Sequence, residues 1–134
     1  METTNLKSAF SGANYTTILK TDTHQIIGDE PEEDGGQNKG FNPYELLLAA
    51  LATCTTATIK MYADRKLWQI NSITIDMKMY AVEKQQVFVR EILIDGLISE
   101  DQRKRLLTIA EKCPVHKILS VGNQIQTTLI LKNN

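Results

Sequence analysis

Two cysteines, Cys54 and Cys113, carry the clearest chemical signal in this 134-residue chain. The reactive form of cysteine is the thiolate, and a helix N-terminus stabilises it through unpaired backbone N–H groups. Pro114 cannot continue a helix ending near Lys112, but it fits the first position of a new one. Cys113 is therefore predicted to be the N-cap of a short helix running to Ser120. His116 lies one turn further on, where it could bond to a thiolate or shuttle a proton. Cys54 falls about ten residues inside a long predicted helix, beyond the reach of the helix dipole, so its activation needs a cation or donor brought by the tertiary fold. The competing reading makes both cysteines small buried hydrophobes. Cys113 and His116 have metal-ligand spacing, but Cys54 and His24 form no second ligand pair, so no metal is expected. Neither a phosphate-binding glycine loop, nor a Ser-His-Asp arrangement, nor a dinucleotide fingerprint is present, and no cofactor is expected.

The element that positions Cys54 is a helix from about Pro43 to about Arg65. Asn42 is a natural N-cap, Pro43 needs no N–H at the first position, and Glu45 falls where a capping box wants a carboxylate. Leu46 to Ala52 are all apolar and cover every direction around the axis, which predicts burial on all sides. The uncharged run from Leu46 to Ile59 is shorter than the ~18 residues that suggest a membrane span, and its second half is rich in threonine.

Around this helix the chain reads in order. Residues 1–12 form a polar arm. Strands are expected at 14–20 and 23–28, with a turn at Lys20-Thr21-Asp22. Residues 29–40 hold five carboxylates, Asp29, Glu30, Glu32, Glu33 and Asp34, then Gly35 and Gly36. They predict a solvated, mobile loop or a flap over a site. Ile73, Ile75, Met77 and Met79 alternate with polar neighbours as in a half-buried strand, and a second strand at 86–97 completes an antiparallel hairpin. Ser99 and Gln102 form a capping-box pair opening a helix to about Lys112. Gly122 and Asn123 turn into a last strand, 124–131. The expected class is α+β, a mostly antiparallel sheet on a buried helix.

The chain, 42% hydrophobic with a net charge of -1, is expected to form one soluble domain over residues 1–134. That charge balance gives no reason to expect nucleic-acid binding. The first thirty residues hold no apolar leader segment, so a cytoplasmic location and no membrane association are expected, with both thiols reduced at rest.

Asn42-Pro43-Tyr44-Glu45-Leu46 leading through Ala49-Ala50 to Cys54, with Cys113-Pro114-Val115-His116 later, resembles the OsmC/Ohr family of thiol-dependent peroxidases. The resemblance covers most of the chain and is nearest to the OsmC-like branch. It implies an intertwined homodimer with active sites at the subunit interface and a role in oxidative-stress defence. It also implies a two-cysteine cycle. Cys54 attacks the O–O bond of an organic hydroperoxide, Cys113 resolves the sulfenic acid as a disulfide, and an external dithiol, of lipoyl type in better-known members, reduces it.

Family members hold the first cysteine ionised with an arginine in the loop before the long helix and a glutamate directly after the Asn-Pro pair. Here Tyr44 follows Pro43, Glu45 comes one residue later, and no arginine precedes Arg65. Glu45, Lys39, His116 and Arg90 are the candidate supporting residues. The alternative function is a non-catalytic dimer of the same fold that binds a small apolar or thiol ligand at its interface.

Overall fold

The computed structural model describes residues 3–132. They fall into two compact units, one within Met1–Ala50 and Met77–Arg90, the other within Leu51–Asp76 and Glu91–Asn134.

In the first unit, β1 (Lys7–Phe10), β2 (Thr17–Lys20) and β3 (Gln25–Gly28) form an antiparallel sheet in that order. Lys7 faces Lys20, and Thr17 faces both Phe10 and Gly28. β1 lies inside the stretch expected to be a polar arm, with no strand expected there; Met1 and Glu2 of that arm lie outside the described residues. Its four residues are all exposed, so pairing with β2 defines the strand and no buried face marks it in the sequence. β2 begins later than expected because the preceding residues close a turn, with the Thr16 N–H donating to Ala13 O at 2.8 Å. The β2–β3 link is tied by the Thr21 hydroxyl, which accepts from the N–H groups of Thr23 and His24.

The acidic segment after β3 contains a short 3-10 helix, Glu32–Asp34. Its two ends are held together, because the Asp29 N–H donates to Phe41 O at 3.0 Å. Gly40 allows this closure: a Cβ there would lie 2.0 Å from Ile27 O. Asn42 then starts α1 (Pro43–Lys66) with the predicted capping box. The Glu45 N–H donates to Asn42 Oδ1 at 2.8 Å, and the Asn42 N–H donates to Glu45 Oε1 at 2.9 Å.

From Leu51 onward α1 belongs to the second unit. It buries Leu51, Thr55, Ile59 and Ala63, a stripe with one residue per turn. Leu47 and Met61 stay exposed, so the burial expected on all sides is realised on one. A single chain supplies partners for one face of a helix that is apolar all round. Over its full length α1 is also long and apolar enough to cross a membrane, contrary to the reading of its uncharged run alone, but its buried stripe packs as a core helix. Ile59 clusters with Leu106 and Ala110 of α2 (Glu100–Ala110). Ile70 and Ile73 of β4 (Gln69–Val82) and Ile92 and Ile94 of β5 (Gln85–Leu97) pack against that cluster.

β4 and β5 form a two-stranded sheet turned by Glu83 and Lys84, with Glu83 at φ 57. Ile73, Ile75, Met77 and Met79 face inward as predicted. α2 opens with the predicted capping box between Ser99 and Gln102. The strand expected at 124–131 is absent from the described structure, where the stretch makes no ladder and Ile125, Leu129, Ile130 and Leu131 are 73–86% exposed. Alternation marks what a segment can pair with, and a strand forms only where an edge is supplied.

α1 ends in a Schellman motif, with Trp68 N–H donating to Ala63 O at 2.9 Å and Leu67 N–H to Asp64 O at 3.1 Å. The left-handed position is held by Leu67 at φ 60, a branched residue where glycine is strain-free. Leu67 is also 91% exposed, so its side chain adds little packing. Replacing Leu67 by Gly is expected to raise unfolding free energy by ~1 kcal/mol, measured by urea denaturation.

Candidate active site

Cys113 sits between two helices that the sequence places locally. α2 winds down through a Cys113 N–H bond to Ala110 O at 3.2 Å, and Pro114 begins α3 (Pro114–Leu119). Cys113 has φ -62 and ψ 140 and is the N-cap, as predicted. Its Sγ accepts from the His116 N–H at 3.3 Å. His116 thus gives the sulfur its main-chain donor. The thiol is fully buried, and burial opposes charge while the N-terminal amide favours it.

On the other side of this sulfur stands Thr55, whose Oγ1 is 3.8 Å from Cys113 Sγ. Thr55 is itself fully buried, and its hydroxyl donates to Leu51 O at 2.7 Å. It is the residue after Cys54, which is partly exposed on α1; the two cysteines are not joined in a disulfide. Sequence reasoning passed over Thr55 because it lies in a run of threonines. The signal that could have found it is its place in the four-residue repeat Leu51, Thr55, Ile59, Ala63.

The remaining candidates lie in the other unit. Glu45 holds the helix cap described above. Lys39 lines an apolar groove of about 550 Å³ with Ile26, Ile27, Phe41, Leu46 and Ala49. Arg90 is half-buried on β5. No group of His, Cys, Asp and Glu able to hold a metal occurs among the described residues.

Lys39 is positioned by Asp29, the one acidic-loop residue that departs from the solvated expectation. Asp29 is 4% exposed and accepts from five donors. Oδ1 takes the N–H groups of Tyr15, Glu30 and Gln37, and Oδ2 takes the Thr16 hydroxyl at 2.8 Å and the Lys39 N–H at 3.2 Å. Burial raises its pKa, but the Thr16 hydroxyl and the Lys39, Glu30 and Gln37 amides outweigh it and lower it from 3.8 to about 2.

A second feature without a sequence signal surrounds Tyr62. Arg105 Nε donates to its hydroxyl at 2.9 Å, and Arg65, Lys66 and Arg105 stand 5.4–6.0 Å from its ring centre. The Arg105 hydrogen bond lowers the phenol pKa against the opposing effect of burial. Trp68 meets the ring edge-on at 5.6 Å.

An α+β chain with a buried helix-capping thiol, set against the residue next to a more exposed helical thiol, defines a two-thiol protein built on a long core helix. It belongs to the OsmC-like family, whose model, described as OsmC-like protein, matches residues 36–129. No curated protein matches the chain. Among solved structures, an OsmC-like protein from Mycoplasma pneumoniae is 22% identical with a TM-score of 0.76, covering 89% of this chain and 88% of its own. An organic hydroperoxide resistance protein, OsmC, from Legionella pneumophila is 22% identical with a TM-score of 0.66, over 89% and 90%. An OsmC-like protein of unknown function from Vibrio cholerae is 14% identical with a TM-score of 0.69, over 88% and 94%. These likenesses establish the fold.

The Asp29 geometry has a pH signature. A carboxyl whose folded pKa lies below its unfolded value contributes stability that is fully present above about pH 4 and lost as pH falls toward about 2. Thermal unfolding followed from pH 6 to pH 2 is expected to show a steep loss below about pH 4 that Asp29→Asn reduces. The amide proton of Lys39 should exchange faster in that variant at every pH.

Proposed function

We propose that this protein is a two-cysteine peroxidase that reduces organic hydroperoxides. The observation that carries the reading is the contact of Cys113 Sγ with Thr55, which places the buried thiol against the residue adjoining Cys54. Family membership and the hydroperoxide-resistance protein among its structural relatives support it. In the cycle the Cys54 thiolate attacks the peroxide O–O bond, the alcohol leaves, and a sulfenic acid remains. Cys113 displaces hydroxide from that sulfur to form a disulfide, which an external dithiol, for which a lipoyl-type thiol is the proposed class, reduces by exchange. Such a cycle needs a reducing compartment, and the proposed location is the cytoplasm. Glu45 is occupied in the helix cap, and among the remaining candidates His116 shares the unit of Cys54.

The working unit in this proposal is a homodimer. The exposed apolar side chains of 124–131 and of the outer face of α1 are the surfaces a second copy would cover. A second reading, a non-catalytic dimer holding an apolar ligand, is favoured by the Ile26–Phe41–Leu46 groove, with Lys39 at hand for an anionic end.

Reduced protein is expected to lose thiols to cumene hydroperoxide faster than to hydrogen peroxide at neutral pH. Cys54→Ser should abolish the fast phase, and Cys113→Ser should divert Cys54 to sulfinic acid, both read by thiol titration and intact mass. Loss no faster than that of a small free thiol, together with saturable binding of an apolar carboxylate, would transfer the assignment to the second reading. Sedimentation should give about twice the 15.1 kDa chain mass, and deletion of residues 124–134 should shift the protein toward monomer.

A further inference from the structure

We infer that Thr55 is a positioning residue for Cys113, a reversible hydroxyl partner that accepts from the thiol at rest and donates to the sulfur when it ionises. The inference rests on the two-cysteine reading and adds to it a residue with a defined task.

A threonine hydroxyl has one proton and two acceptor sites. The Thr55 hydroxyl donates to Leu51 O at 2.7 Å, and with its one proton so engaged we assign the 3.8 Å contact with Cys113 to the cysteine S–H donating to Thr55 Oγ1. The His116 N–H meanwhile donates to the same sulfur. Cys113 is thus accommodated as a thiol, with its proton directed at Thr55.

Once Cys113 loses that proton, its sulfur only accepts, and an Oγ1 lone pair facing it becomes repulsive. Rotation about the Thr55 Cβ–Oγ1 bond turns the hydroxyl proton from Leu51 O to Sγ without moving a heavy atom. Leu51 O keeps its intrahelical partner, so the loss there is small. Thr55 and Cys113 are both fully buried, which denies bulk water the same role.

The step so supported balances. Cys113 sulfur attacks Cys54 sulfur, the S–S bond forms and the S–O bond of the sulfenic acid breaks. Hydroxide leaves and combines with the proton released by Cys113, giving water. Cys113 sulfur is oxidised, and Cys54 sulfur is reduced from the sulfenic to the disulfide level.

The test uses the Cys54→Ser protein, in which Cys113 is the sole thiol, titrated by the ultraviolet absorbance of the thiolate. Adding Thr55→Val keeps the shape and removes the hydroxyl. It is expected to move the titration midpoint up by about one pH unit, about tenfold less thiolate at a given pH, while Thr55→Ser stays near the parent. An unchanged midpoint in the valine variant, or an equal shift in the serine variant, overturns the assignment. Infrared spectroscopy of the Cys54→Ser protein at low pH gives an arm independent of how the valine variant folds. A hydrogen-bonded S–H stretch is expected, and a free S–H band overturns the proposal. Neither readout involves peroxide, so failure of the peroxidase reading would appear separately, as the absence of Cys54-dependent thiol loss in the unaltered protein.

Discussion

The second unit depends on a close-packed stripe one helical turn apart. α1 contributes Leu51, Thr55, Ile59 and Ala63, and α2 contributes Leu106 and Ala110, with Cys113 one turn further on. Ala63 and Ala110 are fully buried and have no side chain beyond Cβ, so the segments that carry them can come near their neighbours. Ile59 and Leu106 fill the space between, with the isoleucines of β4 and β5 behind them. Protein interiors transmit changes of a single methylene because they are packed like organic crystals. The Thr55–Cys113 contact is therefore a consequence of core packing, and the chemistry of the thiol inherits its geometry from the Ile59–Leu106–Ala110 cluster.

Features set by a few neighbouring residues were legible in the sequence. The start of α1 follows from Asn42, Pro43 and Glu45; the start of α2 follows from Ser99 and Gln102; the Cys113 cap follows from Pro114. In each, the stabilising bond joins residues three apart, so the pattern and its cause sit in one window. β1 was hidden because its cause is pairing with β2 across residues 11–16. Thr55 was hidden for a similar reason, since its partner comes from the far end of the chain. For residues 124–131 the alternation was visible, and the described structure holds no edge paired with it.

Two buried polar groups show how donor supply decides charge. Asp29 and Cys113 are both withdrawn from solvent, which alone would favour their neutral forms. Asp29 collects four backbone amides and a hydroxyl, and these overcome burial, so a carboxylate within an acidic run becomes the anchor of its loop. The negative charges of Glu30, Glu32, Glu33 and Asp34 made the segment look uniformly solvated. The deciding quantity was the number of inward-pointing N–H groups, which depends on how the backbone closes between Gly28 and Phe41.

The same contrast bears on the order of events in a two-thiol cycle. Cys54 is partly exposed, whereas Cys113 is sealed in the core. In the proposed cycle an oxidant arriving from solvent would meet the first thiol and be kept from the second, so access would select between two chemically identical groups. In that cycle a sealed thiol would be protected from overoxidation and kept for a sulfenic acid on its own chain. The cost in such a cycle would be desolvation of the thiolate, and the His116 amide would offset part of it with a fixed donor. Such a site has no need of a permanently ionised resolving thiol. In the proposed cycle it would need a partner able to exchange roles at the moment of attack, and among the side chains a hydroxyl offers that exchange without moving its heavy atoms.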